Sequence, residues 1–162
     1  ALRHEPRFEV DSPRIPGDAL PPGGLSGRHE EAPSRSIPLA YRFMLAGIVF
    51  VLIGMCLGIY MGSKEDFTLA PLHAHLNLVG WATMMLFGLF YRGDQVAAAR
   101  TVAGWHFWIA VLGMICFIPG IAGANLGNAT WAIFIIPGAL LTLISMLIFA
   151  WTVWESARRH GT

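Results

Sequence analysis

Charged residues are scarce in this sequence of 162 residues, of which only 13% are Asp, Glu, Lys or Arg. A soluble globular domain contains about 25% charged residues, so the composition excludes an ordinary soluble domain. The net charge is +1, and the basic residues do not form a clustered segment. The sequence therefore lacks the basic patch that binding to nucleic acid requires. Hydrophobic residues make up 55% of the chain, and this predicts an integral membrane protein in contact with a lipid bilayer.

Cysteine is also rare, with Cys56 and Cys116 as the two examples. Both lie in apolar stretches, which predicts two packed thiols; the alternative is a disulfide between them.

Acidic and basic residues are absent from the middle of every apolar stretch. This absence weighs against a transporter with an acidic proton relay and against an arginine-based voltage sensor.

Four uncharged stretches are each long enough to cross a bilayer core of about 30 Å as a helix. Because hydrocarbon offers no hydrogen-bond partners to the backbone, we predict an all-α domain, residues 39–162, with four transmembrane helices. The predicted spans are Phe43–Gly62, Phe67–Tyr91, Thr101–Gly120 and Thr130–Trp154.

The prolines predict where some of these helices begin, end or kink. Pro71 suits the first turn of the second helix, where its missing N–H is not needed. We expect the third helix to end at Pro119–Gly120, and the segment GIAGANLGN to form a short turn before the fourth. The pair Pro137–Gly138 predicts a kink in the fourth helix.

Residues 1–38 differ from the rest, since they hold seven of the ten prolines and alternate in charge without apolar periodicity. Such a segment buries too little apolar surface to offset its chain entropy, which predicts a flexible cytoplasmic tail. The alternative is an arm that becomes ordered on a partner.

The distribution of basic residues predicts the orientation. Ten arginines fall on the side of the N-terminus, and Lys64 is the one basic residue on the opposite side. The positive-inside rule therefore places both termini in the cytoplasm.

Two histidines, His73 and His75, open the second span near its outer end. Residues two apart on a helix are separated by about 200°, so the two rings are expected to serve different sites, or one internal site and one subunit interface. Asn77 follows His73 by four residues and is placed to orient it by a hydrogen bond. The alternative is that both histidines bond to headgroups, water or loop carbonyls at the membrane interface.

A third histidine, His106, begins the third span at the inner side. It is expected to lie about 15–20 Å from His75, so one cofactor cannot be held by both within a single chain. His106 is then either a separate ligand or an interfacial residue between Trp105 and Trp108.

The first span carries Gly54, Gly58 and Gly62 at intervals of four residues. Small residues at this spacing let helices approach closely in lipid. We therefore predict a packing face, either within the subunit or between copies.

The stretch FTLAPLHAHLNLVGWATMMLFGLFYR, with HFWIAVLG downstream, resembles small four-helix bacterial membrane proteins described as cytochrome c oxidase subunit I-like. These proteins are related in pattern to the heme–copper oxidase and nitric oxide reductase superfamily. The resemblance covers about residues 40–154. It implies an antiparallel arc of four helices in the bacterial inner membrane, with His73 and His75 matching a His-x-His pair that binds two different hemes. The adjacent His pair of the copper centre has no counterpart here, so an oxygen-reducing centre is not expected.

The resemblance also implies a function and an assembly. Heme b would be bound through His73 or His75, with Asn77 and His106 as further candidate residues, for electron transfer or gas sensing. Three copies would close a ring of arcs, which predicts a homotrimer. One alternative is a copper site of several imidazoles at the oligomer axis, with Met55 or Cys56 nearby. Another is a non-catalytic accessory subunit of a respiratory or photosynthetic complex.

Overall fold

The computed structural model describes residues 37–161, and every regular element in that range is a helix. In chain order the helices are α1 (Leu39–Lys64), α2 (Ala70–Gly93), α3 (Gln95–Ala98), α4 (Thr101–Asn125), α5 (Ala129–Ala132) and α6 (Ile135–His160). Four stretches are long and apolar enough to cross a membrane: α1, α2, α4 and the run from α5 through α6. This confirms the predicted all-helical, four-span domain. The prediction for the tail falls almost entirely on residues 1–36, outside the described range.

The third span is longer than predicted. α4 continues through Pro119 to Asn125, so the expected end at Pro119–Gly120 is wrong. In a membrane, neighbouring helices and local adjustments satisfy the groups that a proline frees, and a proline therefore need not end a helix. The turn that follows is short, and Gly127 with φ of 68° supplies its left-handed residue.

The fourth span is interrupted, but before its proline. The chain leaves α5 and re-enters helix at Ile135, while Asn128 caps α5 by accepting a hydrogen bond from the backbone N–H of Trp131. Pro137 consequently lies in the first turn of α6, where its missing N–H is not needed. The break lies four residues before Pro137–Gly138, where the sequence predicts a kink.

The second span contains a π-helix that the sequence did not predict. α2 begins as an α-helix with Pro71 in its first turn, as expected, and becomes a π-helix over Leu76–Thr83. It returns to α-helix at Met84. The hydroxyl of Thr83 donates to the carbonyl oxygen of Leu78, five residues back, at 2.9 Å. Such wider turns within α-helices are frequent near functional positions.

The spanning helices α2 and α4 bury more of their surface than α1 and α6. α1 packs along α2, and α6 packs along α4. Small residues permit this close approach. A Cβ at Gly113 would lie 3.0 Å from the backbone of Thr142, and one at Gly138 would lie 2.5 Å from the backbone of Phe117. α4 and α6 therefore meet nearly backbone to backbone.

Two buried apolar clusters fill the interior. We call the end of the domain with Arg92, Arg100, Arg158 and Arg159 the arginine end, and the opposite end, with His73 and His75, the histidine end. The larger cluster lies toward the arginine end and includes Phe43, Phe87 and Tyr91. The smaller one, Leu72, Leu76 and Ile121, lies at the histidine end.

The two cysteines are free thiols rather than a disulfide, and they are less buried than predicted. Cys56 is exposed on the surface of α1, and Cys116 is partly buried in α4. The surface of a membrane-spanning helix such as α1 faces lipid, so Cys56 is shielded from water without being buried in the protein.

Candidate cofactor site and polar network

His73 is fixed by two hydrogen bonds, one to α1 and one within α2. Its Nδ1 donates to the carbonyl oxygen of Gly54 in α1 at 2.9 Å. Because a carbonyl oxygen only accepts, Nδ1 carries the proton, and the Asn77 side chain donates from Nδ2 to the lone pair of Nε2 at 3.0 Å. This is the contact that the spacing of four residues predicts. Both ring nitrogens of His73 are therefore occupied by the protein.

The glycine face of α1 makes room for this arrangement. A Cβ at Gly54 would lie 2.7 Å from Oδ1 of Asn77, and a Cβ at Gly58 would lie 2.9 Å from Cε1 of His73. Gly62 has nothing within 4 Å. The predicted packing face is therefore used within the subunit at Gly54 and Gly58, and Gly62 lies beyond it.

His75 faces α4 rather than α1, in agreement with the predicted angular separation from His73. Its ring meets the ring of Phe117 edge to face, with centroids 5.1 Å apart. Its Nδ1 donates to the carbonyl oxygen of Pro71 at 2.7 Å, so in the neutral ring the lone pair is on Nε2.

The Nε2 atom of His75 differs from that of His73. It has no hydrogen-bond partner among residues 37–161, whereas every buried side-chain nitrogen or oxygen in that range has one. Nε2 of His75 is therefore an accessible lone pair, on a ring whose tautomer is fixed by a backbone carbonyl. Histidines that bind metals are commonly fixed through their other nitrogen in the same way.

Within residues 37–161 no three His, Cys, Asp or Glu side chains gather into a group that could hold a metal ion. His73 and His75 face different helices, and His106 lies at the other end of the bundle. The chain thus offers one free imidazole nitrogen at the histidine end rather than a complete set of protein ligands.

His106 is completely buried inside the bundle, at 0% exposure. Its Nδ1 is 2.9 Å from the hydroxyl of Tyr91 in α2, and its Nε2 is 3.1 Å from the hydroxyl of Ser145 in α6. The structure differs from the interfacial interpretation, because His106 faces the interior of the bundle, whereas Trp105 and Trp108 point outward and are 65% and 51% exposed. Neither nitrogen of His106 is left for a cofactor.

Aromatic rings surround the His106 imidazole on several sides. The centroids of Phe87, Phe43 and Phe149 lie 4.5, 5.0 and 5.9 Å from the centroid of the imidazole. These rings come from three different helices, and with Tyr91 they enclose the polar contacts in an apolar shell. A hydrogen bond in such a shell is electrostatically stronger than one in water.

Sequence reasoning did not identify Tyr91 and Ser145 as partners of His106. They lie 15 and 39 residues away along the chain, so no helical periodicity relates them. One available signal was the heptad spacing of Gly138, Ser145 and Thr152, which places small and polar residues on one stripe of α6.

A charged cluster closes the arginine end. One carboxylate oxygen of Asp94 accepts from the backbone N–H of Ala97 at 2.8 Å and so caps α3. The other oxygen accepts from Ser156 at 2.5 Å and from Arg159 at 2.8 Å. The pKa of Asp94 is lowered from 3.8 to about 2, mainly by the hydrogen bond from Ser156 and next by the hydrogen bond from Ala97.

A second ion pair, between Arg100 and Glu155, lies beside this cluster. Together these contacts tie the connection between α2 and α4 to the last turns of α6.

Comparison of the chain with protein-family models, curated proteins and solved structures gives no match in any of the three. The resemblance to cytochrome c oxidase subunit I-like proteins stays a prediction.

Proposed function

We propose that this multi-pass membrane protein is a b-type cytochrome-like protein that binds heme through Nε2 of His75, for electron transfer or gas sensing. The single observation that carries the proposal is the state of this imidazole. Its Nδ1 is held by the Pro71 carbonyl, and its Nε2 has no protein partner among the described residues. A ring prepared in this way is suited to axial ligation of iron.

The donor set fits heme better than a bare metal ion. A porphyrin supplies four nitrogens, so a protein needs to add as little as one axial imidazole. A copper ion needs several protein ligands, and residues 37–161 contain no cluster of three candidate ligands. A copper site would therefore require imidazoles from other copies of the chain.

His73 takes a different role in this proposal. Its two nitrogens are bonded to Gly54 and Asn77, so the ring joins α1 to α2 and keeps His75 on the α4 side. Heme, when bound, supplies the redox-active or gas-binding iron. The chain supplies the fixed tautomer of His75, the apolar edge of Phe117 and a lipid-facing surface that excludes water.

We also propose that the histidine end faces the periplasm of a bacterial inner membrane and that both termini are cytoplasmic. The excess of arginine on one side supports this orientation. The outward-facing tryptophans Trp105, Trp108, Trp151 and Trp154, on the parts of α4 and α6 nearest the arginine end, are typical of a membrane interface.

We propose a homotrimeric assembly, because one antiparallel arc of four helices leaves a face that closed cyclic symmetry can fill. Native mass spectrometry in detergent is expected to give three times the chain mass of 17.7 kDa. A monomer would contradict it, and co-purification with a larger respiratory or photosynthetic complex would favour an accessory role.

The heme proposal is tested by purifying the full chain from heme-replete cells and recording its absorption spectrum with an elemental analysis. We expect a Soret band and iron. Replacement of His75 with alanine is expected to abolish the band, because it removes the proposed ligand atom.

His160→Ala is the matched control, since His160 lies at the end of α6 and bonds its own helix through Ser156. It is expected to keep the spectrum. A colourless, iron-free wild type, or a His75→Ala variant that keeps the Soret band, would contradict the proposal. Copper found without iron would contradict heme binding and would favour the alternative, a copper site built from imidazoles of several copies of the chain.

A further inference from the structure

The arginines at the arginine end differ in whether the chain neutralises them. Arg100 is ion-paired to Glu155, and Arg159 is ion-paired to Asp94. Arg42, in the first turn of α1, has no carboxylate within 4 Å among the described residues. The described part of the chain therefore leaves the charge of Arg42 available to an anion.

Two aromatic rings of α4 hold the Arg42 guanidinium in place. It lies 5.2 Å from the ring centroid of Phe107 and 6.0 Å from that of Trp108. A cation is attracted to an aromatic face, and a guanidinium held in this way still presents its N–H donors in a planar fork. Arg42 is exposed, so these donors are accessible at the surface between α1 and α4.

A groove of about 400 Å³ lies on the surface of α4 beside this position. It is lined by Thr101, Gly104, Trp105 and Trp108, whose spacing places them on one stripe of the helix. Gly104 keeps the groove open, since a Cβ at this position would have nothing within 4 Å. We call it the Gly104 groove. Both tryptophans are exposed, so the groove opens outward rather than into the bundle.

The same stripe of α4 continues toward the middle of the span as apolar surface. Leu112 and Ile115 are exposed and follow Trp108 by four and seven residues. They lengthen the stripe by about 10 Å, at about 1.5 Å per residue. A molecule that matches the whole surface is therefore anionic at the Arg42 end and apolar along the rest.

We propose that Arg42 and the Gly104 groove bind an anionic phospholipid. The lipid phosphate accepts hydrogen bonds from the Arg42 guanidinium, and one acyl chain lies along the stripe from Trp108 to Ile115. Basic pockets between membrane helices bind anionic lipid headgroups, and tryptophan is enriched at the headgroup level.

The charge near Arg42 favours an anionic lipid over a zwitterionic one. A zwitterionic headgroup carries the same phosphate together with a cationic amine. Among the described residues no carboxylate lies within 4 Å of Arg42 to pair with that amine. The site is independent of heme binding, because His75 is at the opposite end of the bundle.

The test compares anionic phosphatidylglycerol with zwitterionic phosphatidylcholine of the same acyl chains. The purified full chain is titrated with each lipid in detergent, and native mass spectrometry measures the lipid retained per chain. We expect the wild type to retain one phosphatidylglycerol, bound about fivefold more tightly than phosphatidylcholine, as for one arginine near an anionic headgroup. Equal retention of the two lipids would overturn the proposal.

Arg42→Gln removes the charge and keeps a polar side chain. It is expected to weaken phosphatidylglycerol retention about tenfold, which corresponds to the loss of one hydrogen bond between charged groups. Arg92→Gln is the matched control, because Arg92 is also exposed at the arginine end and does not line the groove. It is expected to leave retention unchanged.

Gly104→Leu tests the groove while Arg42 stays in place. Leucine is a better helix former than glycine, and its Cβ meets nothing within 4 Å, so the variant is expected to fold. The leucine side chain fills the groove and should weaken phosphatidylglycerol retention severalfold. Gly104→Ala adds only the Cβ and is expected to stay close to the wild type.

Unchanged phosphatidylglycerol retention in Arg42→Gln or in Gly104→Leu would overturn the proposal. An equal loss in Arg92→Gln would show attraction to the general positive charge of this end and would also overturn it. Lipid-free oligomers that Arg42→Gln dissociates would assign the groove to a second copy of the chain instead of a lipid.

Discussion

The imidazoles of His73 and His75 are two residues apart on α2 and yet have different chemical environments. His73 uses both nitrogens to join helices, whereas His75 uses one and leaves the other accessible. A carbonyl oxygen fixes the tautomer in both cases. The partner at Nε2 therefore decides which ring is available to a ligand, and that partner is Asn77 for His73.

At the same scale, Asp94 makes the stability of the arginine end depend on pH. Its pKa in the folded protein is about 2, below the ordinary 3.8, chiefly because of the Ser156 and Ala97 hydrogen bonds. A lowered pKa contributes stability above the ordinary value and loses it as the pH falls through the lowered one. We expect the thermal midpoint to fall between pH 4 and pH 2.

Asp94→Asn keeps an oxygen that can cap α3 but removes the negative charge paired with Arg159, so it is expected to lower the midpoint at pH 7. An ion pair of this kind contributes up to about 1 kcal/mol. Between pH 4 and pH 2 this variant should lose less additional stability than the wild type. Thermal unfolding in detergent at several pH values measures both effects. Parallel pH profiles for the two proteins would contradict the assignment.

At the scale of helices, hydropathy predicted the existence and number of the spans, because a lipid solvent leaves the backbone little choice of structure. The boundaries were less well predicted, since proline ends helices in water but is tolerated in α4 within a membrane. The bond between His73 and Asn77 was predictable because helical spacing sets it. The Tyr91–His106–Ser145 network was not, because it depends on how three helices pack.

The contact between α1 and α2 yields a prediction about glycine. Gly58→Ala would put a Cβ 2.9 Å from Cε1 of His73, and the ring would have to move. Overpacking of this kind typically costs about 1–3 kcal/mol. We expect a lower thermal midpoint in detergent.

Gly62→Ala is the matched control on the same helix, because nothing lies within 4 Å of the added atom. Alanine is the better helix former, so this variant should be as stable as the wild type or slightly more stable. Equal destabilisation by the two substitutions would contradict the prediction, because only Gly58→Ala brings the added atom against His73.

For the whole molecule, the proposed orientation predicts different accessibility at the two ends. A cysteine introduced at Ser63, exposed at the histidine end, should react in intact cells with a membrane-impermeant maleimide. A cysteine introduced at Gly161, beyond α6, should react only after the cells are opened.

The wild type is the control for this labelling, because Cys56 and Cys116 lie within spanning helices. The reverse pattern, with Gly161→Cys labelled and Ser63→Cys protected in intact cells, would invert the proposed topology. The helical packing described above would be unaffected by that result.

The π-helix in α2 has a consequence for how the two halves of that helix are related. A wide turn holds one more residue than an α-helical turn, and each residue advances an α-helix by about 100°. Shortening Leu76–Thr83 by one residue would therefore return the wide turn to α-helix and leave His75 and Tyr91 in nearly the same relative orientation. Removal of a residue from an α-helical part of α2 between them would instead rotate one against the other by about 100°. The π-helix is therefore the part of α2 that can lose a residue without reorienting His75.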